Sequence, residues 1–292
     1  MSIRTVALLF SIVCWLASQA ALAATPAGSC EHLEPRIGHS GKDVMWVPTN
    51  DALVKAMLEA AGTNRNDYVI DLGAGDGKIP IAAARDFGAR ALGIEYDEQL
   101  VKLAQCKVRA AGVADKVEIR RADLFETDFS EASVLTLYLL SDLNMRLRPR
   151  ILKMRPGTRV VSNTFRMGDW EPDQTITTEA SAATAFLWIV PAQVQGTWTF
   201  VSQDGSDRFR VQIAQRFQKI EGTLLGSARS ATVRDARLSG ERIELTIVGH
   251  APERLKLSGT VRGDKIDATV ERDGKKLRYT GTRGRARQTD AF

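Results

Sequence analysis

Histidine and cysteine are scarce in this chain: its 292 residues hold three of each, and no two cysteines form a Cys-x-x-Cys pair. That leaves no ligand spacing from which a metal site follows. Aromatic residues make up 7%. None interleave with the basic tail residues Arg283, Arg285 and Arg287 as a base-stacking platform requires, so nucleic acid is not an expected partner. Two phosphate-binding motifs are also broken. In "DLGAGDGKI" the Gly77, Lys78 step is followed by Ile79 instead of Ser or Thr, which excludes a P-loop. Position 78 is Lys where the dinucleotide fingerprint needs its third small residue.

Long apolar runs are missing except at the N-terminus. There Arg4, the apolar stretch 6–16 and the small-residue site Ala21, Leu22, Ala23 read as an export signal over 1–23. The stretch is short for a membrane span. The expectation is an exported, periplasmic chain with no transmembrane span once the signal is cleaved; an N-terminal membrane anchor is the alternative. Cys30 lacks the leucine-type residue three positions earlier that a lipoprotein signal needs. After the signal, Cys30 and Cys106 remain. They are expected as unpaired thiols, one on a loose segment and one on a helix, with a disulfide in an oxidising compartment as the other possibility.

Charge is unevenly spread. Residues 24–192 carry 20 Lys+Arg against 23 Asp+Glu, whereas 193–292 carry 19 against 12. The basic C-terminal part invites anionic partners, but its charges alternate with apolar residues along strands, which makes a solvated surface.

The pattern divides the chain. Residues 24–45 are polar and contain Gly and Pro, so a loose lead-in is expected. Over 46–192 short apolar runs alternate with amphipathic segments: a helix at 48–62, a strand entering "DLGAG", a helix after it with Pro80 in its first turn, then strands at 89–97, 116–126, 133–142 and 158–165. The segment 143–157 is read as helical and interrupted near Pro149. Strands alternating with helices predict an α/β fold, a doubly wound, mostly parallel, Rossmann-like sheet. From 193 to 292 the rhythm changes to eight short alternating segments bounded by Gly or Asp-Gly turns, which predicts a small antiparallel all-β domain, barrel or sandwich.

The stretch "VIDLGAGDGKI" (69–79) carries the chemistry. Asp71 stands at a strand tip, and Gly73, Gly75 and Gly77 let the main chain approach a ligand closely. Glu95 ends the second strand, where a carboxylate can accept from both ribose hydroxyls. Asp123 and Leu124 follow the third, where a carboxylate can accept from an adenine amino group. Any one of these acids is also suited to capping the next helix. Together they suit a nucleoside with a free ammonium group, held where such sheets bind ligands.

This constellation resembles the class I S-adenosylmethionine-dependent methyltransferases. The order of "WVPTNDALVKAML", "VIDLGAGDGKIPIAAA", "GIEYDEQLV", "ADLFETDFS" and "FRMGDWEPD" is similar to lysine N-methyltransferases of the ATP synthase c-subunit and adenine nucleotide translocase. The resemblance implies S-adenosyl-L-methionine as cofactor, Pro48 and Thr49 over it, and Trp170 near the substrate opening. It further implies a protein acceptor, a membrane protein among the options. "YLLSD" (138–142) replaces the Asn/Asp-Pro-Pro-Tyr/Phe motif of amide and adenine methyltransferases, which argues against that subclass. Tyr138, Asp142 and Asn163 are placed at strand ends facing the methyl group and Trp170 along an acceptor channel, though each residue type also serves packing or capping. No general base is identified. Three readings stay open: a protein-lysine methyltransferase, a methyltransferase of a small molecule or lipid, and an exported S-adenosylmethionine-binding module without turnover.

Overall fold

A computed structural model describes residues 30–38, 42, 45–226, 231–248 and 254–284. The expected signal segment 1–23, His39, His250, Arg285 and Arg287 lie outside the described residues. No helix among the described residues is long and apolar enough to cross a membrane.

Strands β1 (Tyr68–Leu72), β2 (Arg90–Glu95), β3 (Val117–Arg121), β4 (Val134–Leu137) and β5 (Arg159–Asn163) pair in parallel. The sheet order is β3-β2-β1-β4-β5-β7-β6, closed by an antiparallel edge hairpin of β6 (Gln174–Thr178) and β7 (Ser181–Ile189). Helices α1 (Asp51–Ala60), α2 (Lys78–Phe87) and α3 (Glu98–Ala110) bury Leu58, Ala83 and Ala104 in one core. Helix α4 (Ser141–Ile151) buries Leu147 in a second core with Trp170 and Trp188. Both faces of the sheet are therefore covered, which is why the central strands β1, β4 and β5 are buried along nearly their whole length, whereas the edge strands β3 and β6 carry exposed polar residues. Helix α1 starts where Asn50 Oδ1 accepts from the backbone N–H of Ala52 (2.9 Å) and Leu53 (3.4 Å). That satisfies donors the first turn leaves open.

Strands β8 (Gly196–Ser202), β9 (Arg208–Arg216), β10 (Lys219–Leu225), β11 (Thr232–Ser239), β12 (Arg242–Val248), β13 (Arg254–Arg262), β14 (Lys265–Arg272) and β15 (Lys275–Arg283) form a closed antiparallel barrel. The eight alternating segments of the sequence are its eight strands. The turn at Asp273 and Gly274 has φ of +51° and +76°, the conformation a two-residue hairpin requires. Inward side chains, Trp198 and Phe200 among them, are fully buried, so the barrel is packed and not a pore.

Three local expectations need correction, and one pair of strands was not expected. The fourth strand ends at Leu137, and Ser141 opens α4, because β4 needs only four residues to cross the buried sheet. Helix α4 continues through Pro149, which forgoes one i→i−4 hydrogen bond in the last turn without ending the helix. The hairpin β6–β7 had no turn signal beyond Glu179 and Ala180.

The third correction concerns the lead-in, which is tied down at Cys30. Cys30, in a single 3-10 turn (Cys30–Leu33), is disulfide-bonded to Cys106 on α3. The pair is 76 residues apart in sequence, so no local signal announces it. Cys30 and Trp46 pack on Leu100 and Leu103 of α3, and this buried cluster brings the thiols together. In the loop-entropy model such a cross-link contributes about 4 kcal/mol. Cys106→Ser is expected to lower the urea unfolding midpoint accordingly, and an unchanged midpoint would contradict a structural role for the bond.

Candidate functional site

The strand order reverses between β1 and β4, and a crevice opens there at the carboxyl ends of the strands. It is a cavity of about 440 Å³, within the range of small-molecule sites. The glycine loop forms its floor. Gly73 and Gly75 have φ of +82° and +54°, which a side chain tolerates poorly. A Cβ on Gly75 would also lie 2.8 Å from Trp46 Nε1, so the loop is in direct contact with the residue that follows the lead-in.

The three expected carboxylates all reach the cavity. Asp71 is 2% exposed, and Thr136 Oγ1 donates to it at 2.7 Å. Burial pushes its carboxyl up to about 7 against that hydrogen bond, with Glu95 and Asp76 adding to the rise. Glu95 accepts from the backbone N–H of Gly75 (2.8 Å), Tyr96 (2.8 Å) and Asp97 (2.9 Å). Those bonds orient the carboxylate and partly offset the burial that raises it. Asp123 accepts from Lys42 Nζ at 2.5 Å and from the Phe125 N–H at 2.8 Å. Lys42 holds its carboxyl below the usual range. Lys42 also lies 4.7 Å over the Tyr96 ring, so the roof ties to two walls.

Pro48, Thr49, Gly73, Gly75, Leu124 and Tyr138 line the same cavity. Thr49 is anchored twice: Lys78 Nζ donates to its carbonyl (2.9 Å) and Asn163 Nδ2 to its hydroxyl (3.3 Å). Four expected residues are placed elsewhere. Gly77 caps α2 with its Cα facing α3, where a Cβ would meet Ala104 at 3.0 Å; its role is close packing. Asn163 is buried, held between Thr49 and Thr164. Asp142 is exposed on the first turn of α4. Trp170 is fully buried beneath the barrel and walls no channel.

Several lining residues were missed. Phe165, its ring 6.2 Å from Tyr138, lines the cavity past β5, on the side of the sheet away from β2 and β3, together with Leu143 of α4. An aromatic two residues past β5 was the available signal. Trp46 was readable only as an apolar residue beside Pro48, and the Lys42–Asp123 pair spans 81 residues with no local trace. The mouth is apolar: Met45, Val47, Tyr96 and Leu140 are exposed and all line it.

The buried carboxylate and the close-approach glycines fit a nucleoside bearing an ammonium group. An ammonium ligand binds the ionised form of Asp71, so its affinity should improve as pH rises towards and through about 7. Calorimetry with S-adenosylhomocysteine from about pH 5.5 to 7.5, below the range in which an α-amino group titrates, should show that inflection. Asp71→Asn should bind more weakly and lose it. An inflection that persists in the variant would assign the proton elsewhere.

The ANTKMT methyltransferase domain family model matches residues 71–174. A protein-lysine N-methyltransferase from Saccharolobus islandicus is 38% identical over 151 residues, covering 50% of this chain and 94% of that protein. The adenine nucleotide translocase lysine N-methyltransferase of Mus musculus is 33% identical over 110 residues, covering 37% of this chain, which spans about half (48%) of that protein's length. A crystal structure of an RNA methyltransferase from Salinibacter ruber in complex with S-adenosyl-L-homocysteine is 50% identical, covering 51% of this chain and 96% of that one, with a TM-score of 0.49. On the sequence relationship and the site described above, the chain belongs to the protein-lysine N-methyltransferase family of class I S-adenosylmethionine-dependent methyltransferases.

Proposed function

We propose that this chain methylates a lysine ε-nitrogen of a protein. The observation that carries the proposal is the form of the cavity. It runs from three carboxylates at the ends of β1, β2 and β3 to an end walled by Tyr138, Leu143 and Phe165, under an apolar mouth. S-adenosylmethionine supplies an electrophilic methyl group on a positively charged sulfur. Glu95 is oriented by three backbone donors to accept from a ribose diol, and Asp71 is placed to take an ammonium group. Holding the acceptor amine in line is the main task left to the protein. A lysine must arrive without its proton, and an apolar chamber disfavours the ammonium form. An exposed apolar rim suits a macromolecular acceptor better than a small polar one. The lysine activity of the relatives agrees with this reading.

The test is transfer of labelled methyl from S-adenosylmethionine to separated protein, lipid and RNA fractions. Label in protein, released on hydrolysis as methyl-lysine and abolished by Glu95→Ala, is expected. Label confined to solvent-extractable material or RNA would move the acceptor class. Cofactor binding with no transfer to any fraction would leave a binding module.

We further propose export to the periplasm. The signal-like segment 1–23 supports it, and so does the Cys30–Cys106 bond, since disulfides persist in oxidising compartments. A methyl donor made in the cytosol must then cross the membrane or be used before export. Alkaline phosphatase fused after residue 45 should be active in cells; an inactive fusion overturns this placement.

A further inference from the structure

Residues 164–173, which join β5 to β6, run from the β5 end of the cavity to the barrel. At the cavity end Phe165 lines the wall, and Asn144 Nδ2 on α4 donates to its carbonyl at 3.2 Å. Thr164 has φ of +64°, a backbone conformation uncommon for a β-branched residue. Something must hold this segment in place.

At the barrel end the hold is specific. Trp170 stacks on Phe217, with ring centres 5.8 Å apart and planes 18° from parallel. Phe217 and Gln218 form the turn between β9 and β10, and Phe217 itself has φ of +56°. Trp170 Nε1 donates to Gln218 Oε1 at 2.9 Å, and Gln218 Nε2 donates back to the Glu171 carbonyl at 2.7 Å. Asp169 accepts from Arg148 of α4 (2.5 Å) and from Arg216 of the barrel (2.7 Å). Those two guanidinium partners hold its carboxyl down at about 2. Lys219 pairs with Glu171 at 2.7 Å, and Arg148 lies 5.3 Å over the Phe217 ring. Each residue from 169 to 171 thus has a partner in the barrel turn 216–219.

We infer that the β9–β10 turn of the barrel positions the acceptor end of the methyltransferase cavity, with Phe217 and Gln218 as positioning residues acting through the 164–173 segment on Phe165. The acceptor assignment of that end rests on the function proposed above; the mechanical link does not. Neither Phe217 nor Gln218 lines the cavity, so neither is catalytic. A barrel serving only as a stable appendage needs no contact with this segment.

The full chain carrying Gln218→Ala, Phe217→Ala or Phe217→Tyr tests the inference by two readouts. Hydrogen exchange of a peptide covering 164–168 should accelerate in the two alanine variants and stay at the wild-type rate in Phe217→Tyr, with exchange in β1 and β4 unchanged. On whichever acceptor the wild type methylates, the alanine variants should lose about 10-fold or more in kcat/KM for that acceptor, the size of a small misplacement at a reacting centre. The dissociation constant for S-adenosylhomocysteine should stay within about two-fold. Exchange unchanged at 164–168, or a loss of cofactor affinity equal to the loss of kcat/KM, would overturn the inference. Label found on an acceptor other than lysine would overturn the proposed function while the exchange result still decided this one.

Discussion

A carboxylic acid buried at the centre of a parallel sheet is the constraint around which this molecule is arranged. Among the described residues Thr136 donates the side-chain hydrogen bond to Asp71, which is 2% exposed. Its charge is therefore held at a disadvantage that a cationic ligand removes. Everything near it serves that arrangement. The glycine loop turns sharply away from β1, the Gly75 N–H runs to Glu95, and Trp46 closes over the loop so tightly that no side chain fits at position 75.

The roof over the site is held by long-range interactions. The lead-in is bonded to α3 through Cys30 and Cys106 and paired to Asp123 through Lys42, and Trp46, which follows it, packs on α3. It continues into Thr49, which is hydrogen-bonded to Asn163 at the end of β5. One segment thus touches the strand ends on both sides of the switch point. On the far side of the cavity the barrel does the corresponding work, gripping the segment after β5 through Trp170 and Gln218. The parallel sheet is braced at both rims by pieces of chain that lie outside its core.

What the sequence made legible follows from range. The period-2 and period-3.6 patterns reported the parallel sheet and the eight barrel strands, because each is decided within about ten residues. Gly73, Gly75 and the three acids were legible because a fixed topology brings the ends of successive strands to one edge. Trp170 was misread because burial beneath a second unit cannot be told from a channel wall at the level of residue type. Asp142 was misread because the end of a four-residue strand and the start of a helix lie within ordinary boundary error. The cystine and the Lys42–Asp123 pair link positions 76 and 81 residues apart, and neither leaves a local signature.

The central claim is that Asp71, Glu95 and Asp123 together grip a sulfonium nucleoside under the Trp46 roof. A crystal structure of the full chain with S-adenosylhomocysteine tests it most directly. The account predicts the ribose hydroxyls on Glu95, the adenine beside Asp123 and the ammonium group at Asp71, with Trp46 still in contact with Gly75. An empty crevice, or a ligand bound with its ribose away from Glu95, would contradict it.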